Sequence, residues 1–165
     1  MRVLGIDPGV AIVGYGVVEL KGNKLTPIQY GSVQTKAGLP QARRLKLIYD
    51  GITELIQQYR PDVVSVEKLF FSRNVTTAFQ VAEARGMVLL AAEEAQVTIT
   101  EYTPLQVKMG VVGYGQAEKR QVQEMVRMIL KLSEIPRPDD VADALAIAIC
   151  ELHTSTGLNK GRDRR

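Results

Sequence analysis

Residues 1–34 read MRVLGIDPGVAIVGYGVVELKGNKLTPIQYGSVQ, and their rhythm decides what kind of sheet the chain begins. Val3, Leu4 and Ile6 form a short apolar run closed by Pro8-Gly9, the pattern of a buried strand over residues 2–7. Residues 14–20, GYGVVEL, predict a second strand, Gly22-Asn23 a tight hairpin turn, and residues 25–34 a third strand. Three strands joined by short connections predict an antiparallel opening.

Beyond Pro40 the period changes. Leu45, Ile48, Ile52, Leu55 and Tyr59 recur every three or four residues, the spacing of an amphipathic helix that Pro61 ends. Residues 62–67, DVVSVE, are a short apolar run of the kind that forms central parallel strands. Residues 74–96 read as helix and 97–102 as strand. Thr103-Pro104 combines an N-cap with proline at the first helical position. Gly113-Tyr114-Gly115 interrupts the chain, and Val122, Met125, Val126 and Ile129 mark one face of a following helix. Pro136 and Pro138 mark a loop before a last helix over residues 139–153. The order βββ-α-β-α-β-α-α predicts an α/β protein. Its mixed five-stranded sheet has three antiparallel strands, then two parallel ones, flanked by helices on right-handed crossovers.

The chain is 165 residues long, 45% hydrophobic and 24% charged, the size and balance of one globular domain. No apolar run approaches the roughly 20 residues of a membrane span, and residues 1–9 turn too early for a signal peptide. Cys150 is the single cysteine, which excludes an internal disulfide and fits a reducing, cytoplasmic setting. The net charge of +3 sits at one end: residues 154–165 hold Lys160, Arg162, Arg164 and Arg165 against Asp163. They read as a basic, disordered tail on a single domain of residues 1–153. That domain is electrically balanced, so net charge alone does not argue for a nucleic-acid partner.

The acids are more telling. Asp7 and Glu67 each end an apolar strand, where a carboxylate is costly to bury unless it is paired or binds a cation. Sites in α/β sheets gather at the carboxyl ends of strands, so parallel neighbours would bring the two together. Asp140 and Asp143 are three residues apart, and their helix face runs on into apolar Ile147 and Cys150, which turns both acids toward the protein body. Plainer readings exist for each. Asp7 fits turn chemistry beside Pro8-Gly9, Glu67 an ordinary strand-end charge, and Asp139 and Asp140 the helix start. Four carboxylates form a hard oxygen ligand set suited to Mg²⁺ or Mn²⁺. There is no Cys/His cluster for zinc and no phosphate-loop lysine motif.

Four ordered segments carry a resemblance. GIDPG with GYGVV (residues 5–9 and 14–18), VSVEKLFFSRN (64–74), QVKMGVVGYGQAEKRQV (106–122) and DVADALAIAI (140–149) resemble the RuvC family of bacterial Holliday-junction endonucleases across nearly the whole chain. The resemblance implies a ribonuclease-H-like fold and a homodimer that nicks two opposed strands of a four-way DNA junction symmetrically, in recombination and repair. By position it places the catalytic, metal-binding acids on Asp7, Glu67, Asp140 and Asp143. It implies hydrolysis with two Mg²⁺ ions, Mn²⁺ being an alternative. Some members have histidine at the third position; Asp140 stands there, which leaves His153 a plain helix-end residue and Cys150 core packing.

The resemblance implies DNA contacts at Phe70, Lys108 and Lys119; Arg73 and Asn74 continue the Phe70 loop as candidates for phosphate contact, and Arg120 and the loop 113–115 are weaker candidates for backbone contact. Phe70 and Phe71 face opposite ways on an extended segment, which leaves open which is exposed; the resemblance favours Phe70 as the residue that stacks on an unpaired base. Residues 79–95 are apolar on more than one side, through burial or, as the resemblance implies, a two-fold interface. It also implies cooperation with the RuvA and RuvB branch-migration proteins. Competing readings are a related nuclease on RNA or another branched substrate, and a non-catalytic junction-binding module. A nucleotide-binding domain of the actin/hexokinase type would require a duplicated domain, and the chain has no internal repeat. If the four acids hold cations, the rest of the domain is basic, and metal and DNA binding become one coupled event.

Overall fold

Strand β1 (Arg2–Asp7) is the middle of the sheet in the computed structural model, which describes residues 1–68 and 75–162. It pairs antiparallel with β2 (Ile12–Lys21), which pairs antiparallel with β3 (Lys24–Gln34). On its other side β1 pairs parallel with β4 (Val63–Glu67), and β4 parallel with β5 (Thr98–Tyr102). The order β3-β2-β1-β4-β5 is the predicted three antiparallel strands followed by two parallel ones.

Helices cover both faces. Helix α1 (Gln41–Tyr59) and α2 (Val75–Glu94) pack on one, where Leu4, Ile6, Val13, Val17, Val64 and Val66 meet Ile48, Ile52, Ala84 and Val88. Helices α3 (Pro104–Val112), α4 (Lys119–Leu130) and α5 (Asp139–Arg162) pack on the other, around Val3, Val18 and Val63. Local chemistry sets most boundaries. Arg60 closes α1 in a left-handed conformation just before Pro61, Thr103 and Gln106 form a capping box at α3, and Gly113 ends α3 with φ of 78°.

Because successive residues of a strand face opposite sides, Val3, Gly5 and Asp7 share the α5 face with Gly14, Gly16 and Val18 of β2, their antiparallel partners in register. The glycines let α5 lie flat on the sheet. A Cβ at Gly5 would run into the Ala144 carbonyl, and one at Gly14 into the backbone of Asp140. The apolar run of α5 that fills this contact, from Ala144 to Cys150, is at most 2% exposed.

Three expectations need correction. Three helices, not two, follow β5, because the segment opened by Thr103-Pro104 is a separate element from α4. β2 begins at Ile12 rather than Gly14, extended by pairing with Gln34. The last helix does not stop at His153 but runs to Arg162: residues that look like a solvated tail have hydroxyls that bond back along the helix, Thr154 to the Cys150 carbonyl and Thr156 to that of Leu152, both at 2.8 Å. Among the described residues no helix is long and apolar enough to cross a membrane.

The flat seating of α5 makes a direct prediction. Gly5→Ala forces helix and sheet apart and lowers stability in urea unfolding by about 3 kcal/mol; a loss within about 0.5 kcal/mol would mean the contact tolerates a methyl group.

Candidate active site

The parallel register sets Ile6 beside Val66, so Asp7 and Glu67 emerge next to each other from the carboxyl ends of the two central strands. Both lie on the face that α5 covers, since Glu67 alternates with Ser65 and Val63 as Asp7 does with Gly5 and Val3. Helix α5 begins above them. Gly14, paired with Asp7, admits the Asp140 backbone to van der Waals range, and Asp143 follows one turn on. The helix face carrying both acids continues into buried Ile147 and Cys150, as the sequence pattern predicts.

Crowding perturbs these carboxyls. Burial, then the charges of Glu67, Asp143 and Asp140, push Asp7 up from an ordinary 3.8 to about 8, against a smaller opposing pull from Lys119. Burial and the Asp143 charge raise Glu67. Burial also raises Asp143, outweighing its hydrogen bond from Lys119. The cluster therefore carries more negative charge than it can hold unprotonated without a counter-cation.

One counter-charge is built in. Lys119, at the start of α4, donates to Asp143 Oδ2 at 2.8 Å and lies 3.6 Å from Asp139 Oδ2. Burial pulls the lysine down, but its bond to Asp143 and the charges of Asp143, Asp139 and Asp7 lift it above its ordinary value. Lys108, on α3, lines the same cleft of about 180 Å³ as Lys119, Glu67 and Asp143. Arg120 is exposed on α4, beside Lys119 in sequence but not among the residues lining the cleft. Phe70, Phe71, Arg73 and Asn74 lie outside the described residues. Asp139 opens α5, and its side chain pairs with Arg137 at 2.8 Å as well as with Lys119.

Supporting contacts lie behind the cleft. Tyr102, the partner of Glu67 on β5, donates its hydroxyl to Glu151 Oε2 on α5 at 2.8 Å, and Ser155 donates to the other carboxylate oxygen. This buried bridge ties the end of β5, next to the strand end bearing Glu67, to the helix bearing Asp143. Sequence reading passed over Glu151; its signal is a carboxylate inside the otherwise apolar run 144–152. Cys150 is core packing, its thiol raised by burial to about 11 and donating to the Gln106 carbonyl at 3.4 Å. His153 does more than end a helix: its Nδ1 lies 2.8 Å from the Gly110 carbonyl and joins α5 to α3.

Among the described residues no three Asp, Glu, His or Cys side chains are drawn together as a ready-made ion cage. A magnesium site does not require one. Mg²⁺ keeps several waters and is held by one or two carboxylates together with substrate phosphates. An all-oxygen set whose buried member is destabilised by its acidic neighbours fits such an ion and does not fit zinc.

The perturbed carboxyl has a pH signature. Between 3.8 and about 8 the folded protein keeps a proton on Asp7 that the unfolded chain has released, so metal-free stability falls as pH rises through that window. Asp7→Asn removes the penalty. Its gain in thermal midpoint over the parent, measured in EDTA, should grow from pH 5 to pH 9; a gain that stays flat or shrinks contradicts the assigned charge cluster.

Comparison with known proteins identifies the family and the fold. A family model described as crossover junction endodeoxyribonuclease RuvC matches residues 3–151. The RuvC of Brevibacillus brevis is 62% identical over 149 residues, 90% of each chain. The structure of Thermus thermophilus RuvC superposes with a TM-score of 0.89 at 41% identity, covering 95% of this chain and 96% of that one. The same protein in complex with Holliday junction substrate superposes at 0.87 with 39% identity over the same shares. From Asp7 on β1 to Asp143 on α5, the proposed site lies within the matched span, and the chain belongs to the crossover junction endodeoxyribonuclease RuvC family.

Proposed function

We propose that the chain is a structure-selective endonuclease that resolves four-way DNA junctions by hydrolysing phosphodiester bonds in two opposed strands. The observation that carries this reading is the joint placement of Asp7 and Glu67 under the first turns of α5, with Asp140 and Asp143 above them and Lys108 and Lys119 lining the adjoining cleft. The family supplies the substrate: a relative covering nearly the whole chain has been solved with Holliday junction substrate.

Asp7, Glu67, Asp140 and Asp143 would hold Mg²⁺, or Mn²⁺ in its place. Bound there, divalent cations lower the pKa of an attacking water and stabilise charge on the leaving oxygen. The rest falls to the side chains. Asp7 would give up its proton to a held cation, which would bring full ligand charge to the middle of the site. Lys119 fixes Asp143 and presents an ammonium where the substrate backbone enters, and Lys108 adds a second positive charge on the same wall. No side chain has to act as a covalent nucleophile, and the inert Cys150 thiol is consistent with that.

Paired nicks need two sites. Helix α2 buries Ala84, Val88, Ala91 and Ala92 against the sheet, yet Phe79 is 66% and Leu90 45% exposed. Burial in the domain therefore does not account for its second apolar side. A second copy packed there would cover it and relate two active sites by a two-fold axis.

The test is cleavage of a synthetic four-way junction and a matched linear duplex, with Mg²⁺ and with EDTA. The expected result is symmetric paired nicks in the junction alone and only with Mg²⁺. Asp7→Asn should cut at least about 10³-fold more slowly yet bind the junction as tightly or more so, since it removes a negative charge facing phosphate. Cleavage by Asp7→Asn at the parent rate, or equal cutting of linear duplex, would overturn the assignment.

A further inference from the structure

A second hollow meets the acidic cluster from the Asp140 side. It holds about 370 Å³ and is lined by Asp140, Gln80, Arg44 and the chain at residues 9–12, the loop that leaves Asp7. The cleft containing Lys108 and Lys119 reaches the cluster at Glu67 and Asp143 instead. The acids are thus flanked by two open depressions, one with Lys108 and Lys119 in its wall and the other with Arg44.

Arg44 is held in a defined pose. Thr35, 8% exposed and just past the end of β3, donates its hydroxyl to the Val10 carbonyl and accepts from Arg44 Nε at 2.8 Å. The Thr35 amide donates to the Ala11 carbonyl at 3.0 Å. A buried hydroxyl with both its bonds made is rigid, so α1, β3 and the loop after Asp7 are locked around this arginine. Its Nε is used, and among the described residues its two terminal nitrogens make no hydrogen bond. Among the described residues Arg44 makes no ion pair with a carboxylate. The loop beside it is folded tightly on itself: Gly9 has no Cβ, and one there would strike the Ile12 carbonyl.

We propose that Arg44 binds a backbone phosphate of the substrate strand neighbouring the scissile one, on the Asp140 side. The proposal rests on the nuclease reading of the site. A strand crossing the cluster has Lys108 and Lys119 on one side; on the other it would meet the bare charge of Asp140 without a cation beyond it. A guanidinium with a free planar fork suits a phosphate's two oxygens. Fixing that fork through Nε spares the ordering entropy a loose lysine would lose on binding. Gln80 adds a neutral amide donor to the same wall.

The test is junction and linear-duplex binding in EDTA over a salt series, with thermal unfolding alongside. Arg44→Gln should weaken junction binding about tenfold and make the log-affinity against log-salt slope shallower by about 0.9, the share of one phosphate contact. Arg44→Lys keeps the charge without the pose: its slope should stay with the parent while its affinity falls severalfold. Parental affinity and slope in folded Arg44→Gln would overturn the proposal. Should Arg44→Gln fail to fold, Arg44→Lys decides alone, parental affinity overturning the fixed pose and a slope lowered by a full phosphate contact overturning the charge contact. A parent protein without preference for the junction would instead defeat the nuclease reading, and Arg44's share of the slope would still be measured on duplex.

Discussion

Everything at this site depends on one helix lying against two strands at a row of glycines. Gly5, Gly14 and Gly16 open the sheet face under α5, and the carbonyls of Ala144 and Asp140 and the Leu145 side chain occupy the space that methyl groups there would fill. Close packing of this kind leaves little freedom for the helix to slide or tilt. It fixes Asp140 and Asp143 relative to Asp7 and Glu67, which lie on the same sheet face by strand alternation and parallel register. Backbone contact sets the helix position, and the Lys119 and Tyr102–Glu151 side-chain contacts secure it, which holds together acids that repel one another.

That repulsion is the second half of the design. Asp7 sits where burial and three acidic neighbours make its charge unfavourable, and Lys119 offsets only part of the excess. A cluster left short of positive charge attracts cations, and cations in turn remove the barrier to a phosphate backbone. The lysines in one cleft and Arg44 in the other hollow extend the same logic along the path of a strand. The acidic centre is the part that needs help to approach DNA, and its flanks are basic.

Much of this was legible in the sequence, and the reasons are local. The strands over residues 2–7 and 62–67 announce themselves by short apolar runs ended by an acid, and register then places the acids together. The inward face of α5 is readable because Asp140 and Asp143 continue at helical spacing into Ile147 and Cys150, both buried. What escaped reading depends on contacts distant in sequence. Lys119 meets Asp143 across 24 residues and Tyr102 meets Glu151 across 49, and neither pair leaves a periodic trace. The continuation of α5 through Thr154 and Thr156 was hidden because a polar composition resembles a tail, although their hydroxyls bond back into the helix. The role of α2 was readable only as an ambiguity, resolved on one point: its apolar surface exceeds what the domain buries.

The central claim is that Asp7 holds a proton in the metal-free protein and releases it when divalent cations bind among the four acids. Calorimetric titration of the protein with Mn²⁺ at pH 7, repeated in buffers of different ionisation enthalpy, measures that release directly. The account predicts saturable binding with about one proton released per chain, seen as a heat that changes with the buffer. Saturable binding whose heat is independent of the buffer, or no binding at all, would contradict it.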